Sequence, residues 1–172
     1  MRVIAALAQE HAVFVRMIGR IERTLTWSED AARTEIAESL LVLLPALDRH
    51  EQIEDSVFAD PAYASSEGAA RIRAELAREH GRVDLMRVEI RRMIEGAECP
   101  WERFKNQISE LARKLRLHFA TEEKKLWPHY TRTMSRSRDR SAAWKVSREV
   151  ARLEEEIERN RLSVSDYLER LR

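Results

Sequence analysis

The 172 residues contain one cysteine, Cys99, four glycines and four prolines. A lone thiol excludes an intrachain disulfide and any metal site built from the thiolates of one chain, and it suits a reducing cytoplasm. So few glycines and prolines leave little room for turns, and the apolar residues recur at three and four positions instead of alternating, which excludes a strand-rich fold. No apolar run approaches the ~18 residues that a membrane span needs. The opening "MRVIAALAQEH" carries too short an apolar stretch, Val3 to Ala8, for a secretory leader. An excess of one charge is missing too. Lys and Arg number 31 against 30 Asp and Glu, so no global field calls for nucleic acid or an anionic membrane. The expectation is a cytoplasmic chain of about one domain with a real core.

What is present is helical periodicity. A first helix from Val3 to Thr26 has the stripe Val3, Leu7, Phe14, Ile18, Ile21 and Leu25. Ser28 offers an N-cap oxygen, with Glu29 and Asp30 in the first turn, and the second helix reaches Phe58 with Pro45 inside it as a kink. "ADPAYASSEG" breaks the chain before a third helix, Glu67 to Glu95. Pro100 opens a fourth helix and Pro128 stops it. Four helices of roughly 25 residues with short loops bury their stripes most simply as an all-α, antiparallel up-down four-helix bundle over residues 1–128. Residues 129–172 read as an arginine-rich linker and an additional C-terminal helix bearing Trp144, Val146, Val150, Leu153 and Ile157, extended by Leu162, Tyr167, Leu168 and Leu171. That helix either packs on the outside of the bundle or serves a dimer or a protein partner.

Histidine placement carries the chemistry. His11, His50, His80 and His118 fall one per helix, and His11 to His50 spans 39 residues while His80 to His118 spans 38. Each half opens with Glu-His (Glu10-His11, Glu79-His80) and closes with His-x-x-x-Glu (His50/Glu54, His118/Glu122), so the chain reads as a duplicated helical hairpin. Positions four apart differ by only ~40° around a helix. All six groups therefore share the apolar faces. Buried, unpaired carboxylates among imidazoles need a common partner, and a pair of metal ions supplies one: carboxylates bridge, neutral imidazoles cap, with iron ahead of manganese or zinc. The glutamate-x-x-histidine pairs of ferritin-type bundles are missing.

The pattern EH, HxxxE, EH, HxxxEE over about residues 3 to 128 resembles the hemerythrin-like family of HHE cation-binding domains. The resemblance implies a four-helix bundle around an oxo- or hydroxo-bridged di-iron centre, with His11 and His50 as terminal ligands of one iron, His80 and His118 of the other, and Glu54 and Glu122 bridging. Oxygen-carrying members have a second histidine four residues on in the third helix, where this chain has Asp84, so reversible oxygen carriage is not implied. Asp84 is a possible additional ligand, and so is Glu51, which resembles an extra glutamate of iron-sensing members. Glu10 and Glu79 stand either behind the histidines or in solvent. Glu123 is expected to point away, His129 to lie on the surface, and Cys99 to be inert. The implied function is binding or sensing of dioxygen, peroxide, nitric oxide or iron. The alternatives are a peroxide-decomposing di-iron enzyme and a metal-free helical interaction protein.

Overall fold

Two threonine hydroxyls close the first helix, α1 (Val3–Thr24): Thr24 donates to the Ile21 carbonyl at 2.7 Å, and Thr26, just past the end, to Arg23 at 2.9 Å. They occupy carbonyls that a helix end leaves without partners. In this computed structural model the described residues are 3–94, 99–135, 139, 143, 144, 146–148 and 150–159, and no strand occurs among them. Helix α2 (Glu29–Phe58) runs unbroken through Pro45. Ser28 stands at its N-cap as expected, but its hydroxyl makes no capping bond; its carbonyl accepts from Ala32 at 2.9 Å instead.

The predicted loop "ADPAYASSEG" contains a one-turn helix, α3 (Pro61–Ala64), and a turn at Gly68, whose φ of +81° lies in the left-handed region that glycine tolerates. Helix α4 (Ala69–Ile94) and helix α5 (Trp101–Thr121) complete the bundle. α1 packs on α2 and α5, and α4 packs on the same two, which is the square of an up-down bundle.

Pro128 does not stop the last helix. The chain passes through a π turn at Glu122–Leu126, with the Trp127 N–H bonded five residues back to the Glu122 carbonyl, and continues as α6 (Trp127–Thr133). A wide turn absorbs the extra residue and the donor that proline lacks, and such bulges recur at functional sites.

The interior is not one continuous apolar mass. One cluster gathers Phe14, Ile36, Leu43, Ile90, Phe104 and Leu111 with their neighbours. A second gathers Leu7, Phe58, Tyr63, Leu126 and Tyr130. Along α1, α2 and α4 the candidate side chains fall between the two, and Glu122 does so past the end of α5, while His118 sits beside Phe119 at the edge of the first cluster. In the C-terminal helical segment, Ala143, Val146 and Val150 join the second cluster, Leu153 joins the first, and Arg49 of α2 pairs with Glu156 at 2.9 Å. These described apolar residues of its stripe are thus packed on the bundle. Trp144, read as part of that stripe, is 63% exposed. Leu162, Tyr167, Leu168 and Leu171 lie outside the described residues. No helix among the described residues is long and apolar enough to cross a membrane.

Candidate metal centre

Six side chains from all four long helices and the π turn meet between the two apolar clusters. His50, Glu54 and Glu122 are completely enclosed, His11 and His118 nearly so, and His80 is the most open at 7%. Their ligating atoms form two sets, His11, His50, Glu54 and Glu122, and Glu54, His80, His118 and Glu122, each with its atoms within 4.8 Å of one another. The two carboxylates belong to both sets.

Glu122 divides its oxygens between the halves of the chain. Its Oε2 lies 3.1 Å from His11 Nε2 and 4.0 Å from His50 Nε2, while Oε1 lies 2.9 Å from His118 Nε2 and 3.7 Å from His80 Nε2. Glu54 Oε2 stands 3.7 Å from His50 Nε2 and 3.8 Å from His80 Nε2. Each histidine therefore faces the two shared carboxylates through the Nε2 of its ring.

The other ring nitrogens explain why. His50 Nδ1 donates to Glu10 at 2.9 Å, His118 Nδ1 to Glu79 at 3.4 Å, and His11 Nδ1 to Glu123 at 3.1 Å. A carboxylate on Nδ1 holds the proton there and turns the Nε2 lone pair inward, the arrangement that orients metal-binding imidazoles. The glutamate that precedes the histidine of one helix serves the histidine of the next: Glu10 of α1 serves α2, and Glu79 of α4 serves α5. Sequence reading left these two open between support and solvent; the structure puts both behind the histidines. Glu123, expected to point away, keeps a half-exposed carboxylate against His11. Only the tertiary register of α1 against the π turn could reveal that contact.

The donor set asks for cations. Both oxygens of Glu54, both of Glu122, and Nε2 of His80 and His118 are buried without a hydrogen bond of acceptable geometry. His11 and His50 face each other through Nε2 at 3.2 Å, two lone pairs turned on one another once each Nδ1 carries the proton. Buried polar groups rarely go unpaired, and a layer of them needs ions or protons. Without metal the layer holds protons. Burial alone would lower His50, but Glu54, Glu10 and Glu122 outweigh it and lift it well above the usual histidine range; His118 rises similarly against burial, through Glu122 and Glu79. Burial, then Glu122, pushes Glu54 well above the carboxylate range. Burial would raise Glu122 too, yet the four imidazoles prevail and hold it well below. Mixed nitrogen and oxygen donors with two shared carboxylates fit a pair of iron, manganese or zinc ions.

Glu51 and Asp84 are not brought to this cluster. Arg87 of α4, itself 4% exposed, binds Glu51 at 2.8 Å, Asp48 at 2.7 Å and Asp84. His129 stays away from the centre but is not a free surface group: it is half-buried and its Nε2 donates to the Glu67 carbonyl at 2.8 Å. On the first half, aromatic rings seal the centre. Trp127 stacks on His11 with centroids 4.7 Å apart, Phe119 lies 4.3 Å away, and Phe14 meets His50 edge-on at 5.4 Å.

Neither curated proteins nor solved structures gave a match to this chain. The family description "Hemerythrin HHE cation binding domain" matches residues 2–130, three quarters of the chain and all six clustered side chains. On that match, and with a buried histidine and carboxylate layer of the kind a cation needs, the chain belongs to the hemerythrin HHE cation-binding family.

Proposed function

We propose that this is a non-haem di-iron protein that binds or senses a small oxidant, dioxygen, hydrogen peroxide or nitric oxide, or iron itself. One observation carries the reading: Glu122 offers one oxygen to each histidine pair, with Glu54 between the same pairs. His11 and His50 would hold one ion and His80 and His118 the other. Bound there, the ions would supply Lewis acidity and electrons to a small molecule. The chain does the rest. Glu10, Glu79 and Glu123 fix the rings of His50, His118 and His11, while Phe14, Phe119 and Trp127 exclude water and bulky ligands from the first half. His80, the least enclosed group, marks the side of approach.

A second reading, peroxide decomposition, draws on Glu123. Its carboxylate touches His11 and is about half exposed, giving protons a path between solvent and the centre. Oxygen evolution from peroxide by iron-loaded protein separates this from sensing. With one cysteine and no helix of membrane-spanning character among the described residues, we propose a cytoplasmic protein, which fractionation checks.

Metal analysis with an optical spectrum tests the central reading. Two ions per chain and a near-ultraviolet band that shifts with azide are expected. A chain that binds no iron, and melts at the same temperature with iron present, is instead a metal-free helical interaction protein.

A further inference from the structure

Beyond Glu122, where α6 meets α3, four ring side chains carry buried polar atoms without a hydrogen-bond partner among the described residues: Nε1 of Trp127, the hydroxyls of Tyr130 and Tyr63, and Nδ1 of His129. Packing does not account for them, because phenylalanine would fill a tyrosine's place without stranding a hydroxyl. Unpaired polar groups concentrated at one spot call for a functional explanation, redox chemistry among the candidates.

The rings also form a path. Trp127 stacks on the candidate ligand His11, with centroids 4.7 Å apart and planes 29° from parallel. Tyr130 follows Trp127 by three residues on α6, so the two are neighbours on one helix face, and both belong to the same apolar cluster as Tyr63. Tyr130 and Tyr63 lie 5.6 Å apart, and Tyr63 meets His129 edge-on at 5.4 Å. One end of the path touches the metal layer. The other reaches a half-buried histidine near the surface, where its Nε2 donates to the Glu67 carbonyl and leaves Nδ1 as an acceptor.

We propose that Trp127, Tyr130 and Tyr63 form an electron-donor relay for the metal centre, supplying one-electron equivalents when hydrogen peroxide is reduced there. The relay rests on the di-iron reading above. Each peroxide takes up two electrons and two protons from solvent and leaves as two waters. An electron the metal pair does not supply leaves the Trp127 indole through the stacked His11 ring. Trp127 recovers it from the tyrosines, and Tyr63, whose ring meets His129 edge-on without a direct bond to Nδ1, passes its proton to that nitrogen through one water, leaving a neutral phenoxyl radical. A reductant of the thiol or ascorbate class returns the electron, and His129 returns the proton. Burial, with Asp139 beside Tyr130, pushes both phenols up to about 12. They are therefore neutral at ordinary pH and lose an electron only together with a proton, which is why a base belongs in the cluster.

The test uses the full, iron-loaded chain and stoichiometric hydrogen peroxide, frozen during turnover for electron paramagnetic resonance, with peptide mass mapping afterwards. Wild type is expected to give a tyrosyl signal. The Tyr63→Phe/Tyr130→Phe double variant should lose it, and so should Trp127→Phe. Oxidative modification should then move to Phe14, Phe119 and His11. Because the tyrosine hydroxyls have no partners, the double variant should melt no lower than wild type, which separates electron donation from a structural role. A radical signal that survives both sets of substitutions overturns the relay, as does its absence from wild type that binds two irons and consumes peroxide. Failure to bind iron or consume peroxide overturns relay and di-iron reading together.

Discussion

The two halves of the duplicated hairpin carry the same histidine and glutamate pattern and surround it differently. In the first half, His11 and His50 both have a carboxylate on Nδ1, at 3.1 and 2.9 Å, and three aromatic rings close over them. In the second, Glu79 stands 3.4 Å from His118 and is partly exposed, and among the described residues no carboxylate serves Nδ1 of the more open His80. Duplication copies the pattern, but packing makes the two ends unequal: carboxylates and rings close more tightly on the first, and the second leaves His80 the least enclosed of the four histidines.

The strongest way to break this comparison is to remove what the halves share. Glu122→Ala should abolish binding of both ions, and with it the stabilisation that excess metal confers, about 4 kcal/mol at a thousandfold excess over Kd. Metal stoichiometry and melting temperature check it. Retention of one ion would mean that the halves do not depend on a common carboxylate.

Next comes pH. Each ion must displace protons from the layer, so affinity should fall on acidification, by roughly tenfold per pH unit for each proton displaced. Metal-free protein should behave oppositely above the carboxylate range. The raised His50 and Glu54 contribute stability that is complete below their unfolded values and lost as pH rises through their folded ones. Glu122, held low, contributes stability present above its unfolded value and lost only as pH falls through its folded one. Melting curves at about pH 5.5 and about pH 8, with and without metal, should therefore move in opposite directions.

Deleting the supporting carboxylates sharpens the contrast. Glu10→Gln should weaken metal binding by roughly 10- to 100-fold, the usual effect of losing a group that orients a metal-bound histidine. Glu79→Gln should cost less, because its contact is longer and wetter. Titration of the two variants side by side decides; equal losses would remove the asymmetry.

Smallest of all should be Asp84→Asn. Asp84 is about half exposed and only one of three carboxylates on Arg87, so the change should cost under ~1 kcal/mol and leave metal stoichiometry intact. Loss of an ion would show that Asp84 reaches the centre when metal is bound.

Much of this was legible in the chain. Helical spacing put His11, His50, Glu54, His80, His118 and Glu122 on the apolar faces, because residues four apart on one helix face share their surroundings. The scarcity of turn residues left a bundle as the way to bury four stripes. Pro128 misled because local chemistry favours a stop there, whereas packing of Leu126, Trp127 and Tyr130 carries the helix on through a π turn. Arg87 follows Asp84 by three residues, so that pairing is local; that it also holds Asp48 and Glu51 depends on how α2 faces α4.

Sequence by itself determined which residue types repeat, at what spacing and on which helix faces, since those follow from helix geometry and covalent order alone. Only tertiary structure decided which carboxylate supports which histidine and which rings stack beside them. Contacts between groups 40 or 112 residues apart, as in Glu10 with His50 and His11 with Glu123, are set by the relative slide and rotation of helices. Packing across the whole core chooses that registry, and no local stretch of the chain encodes it.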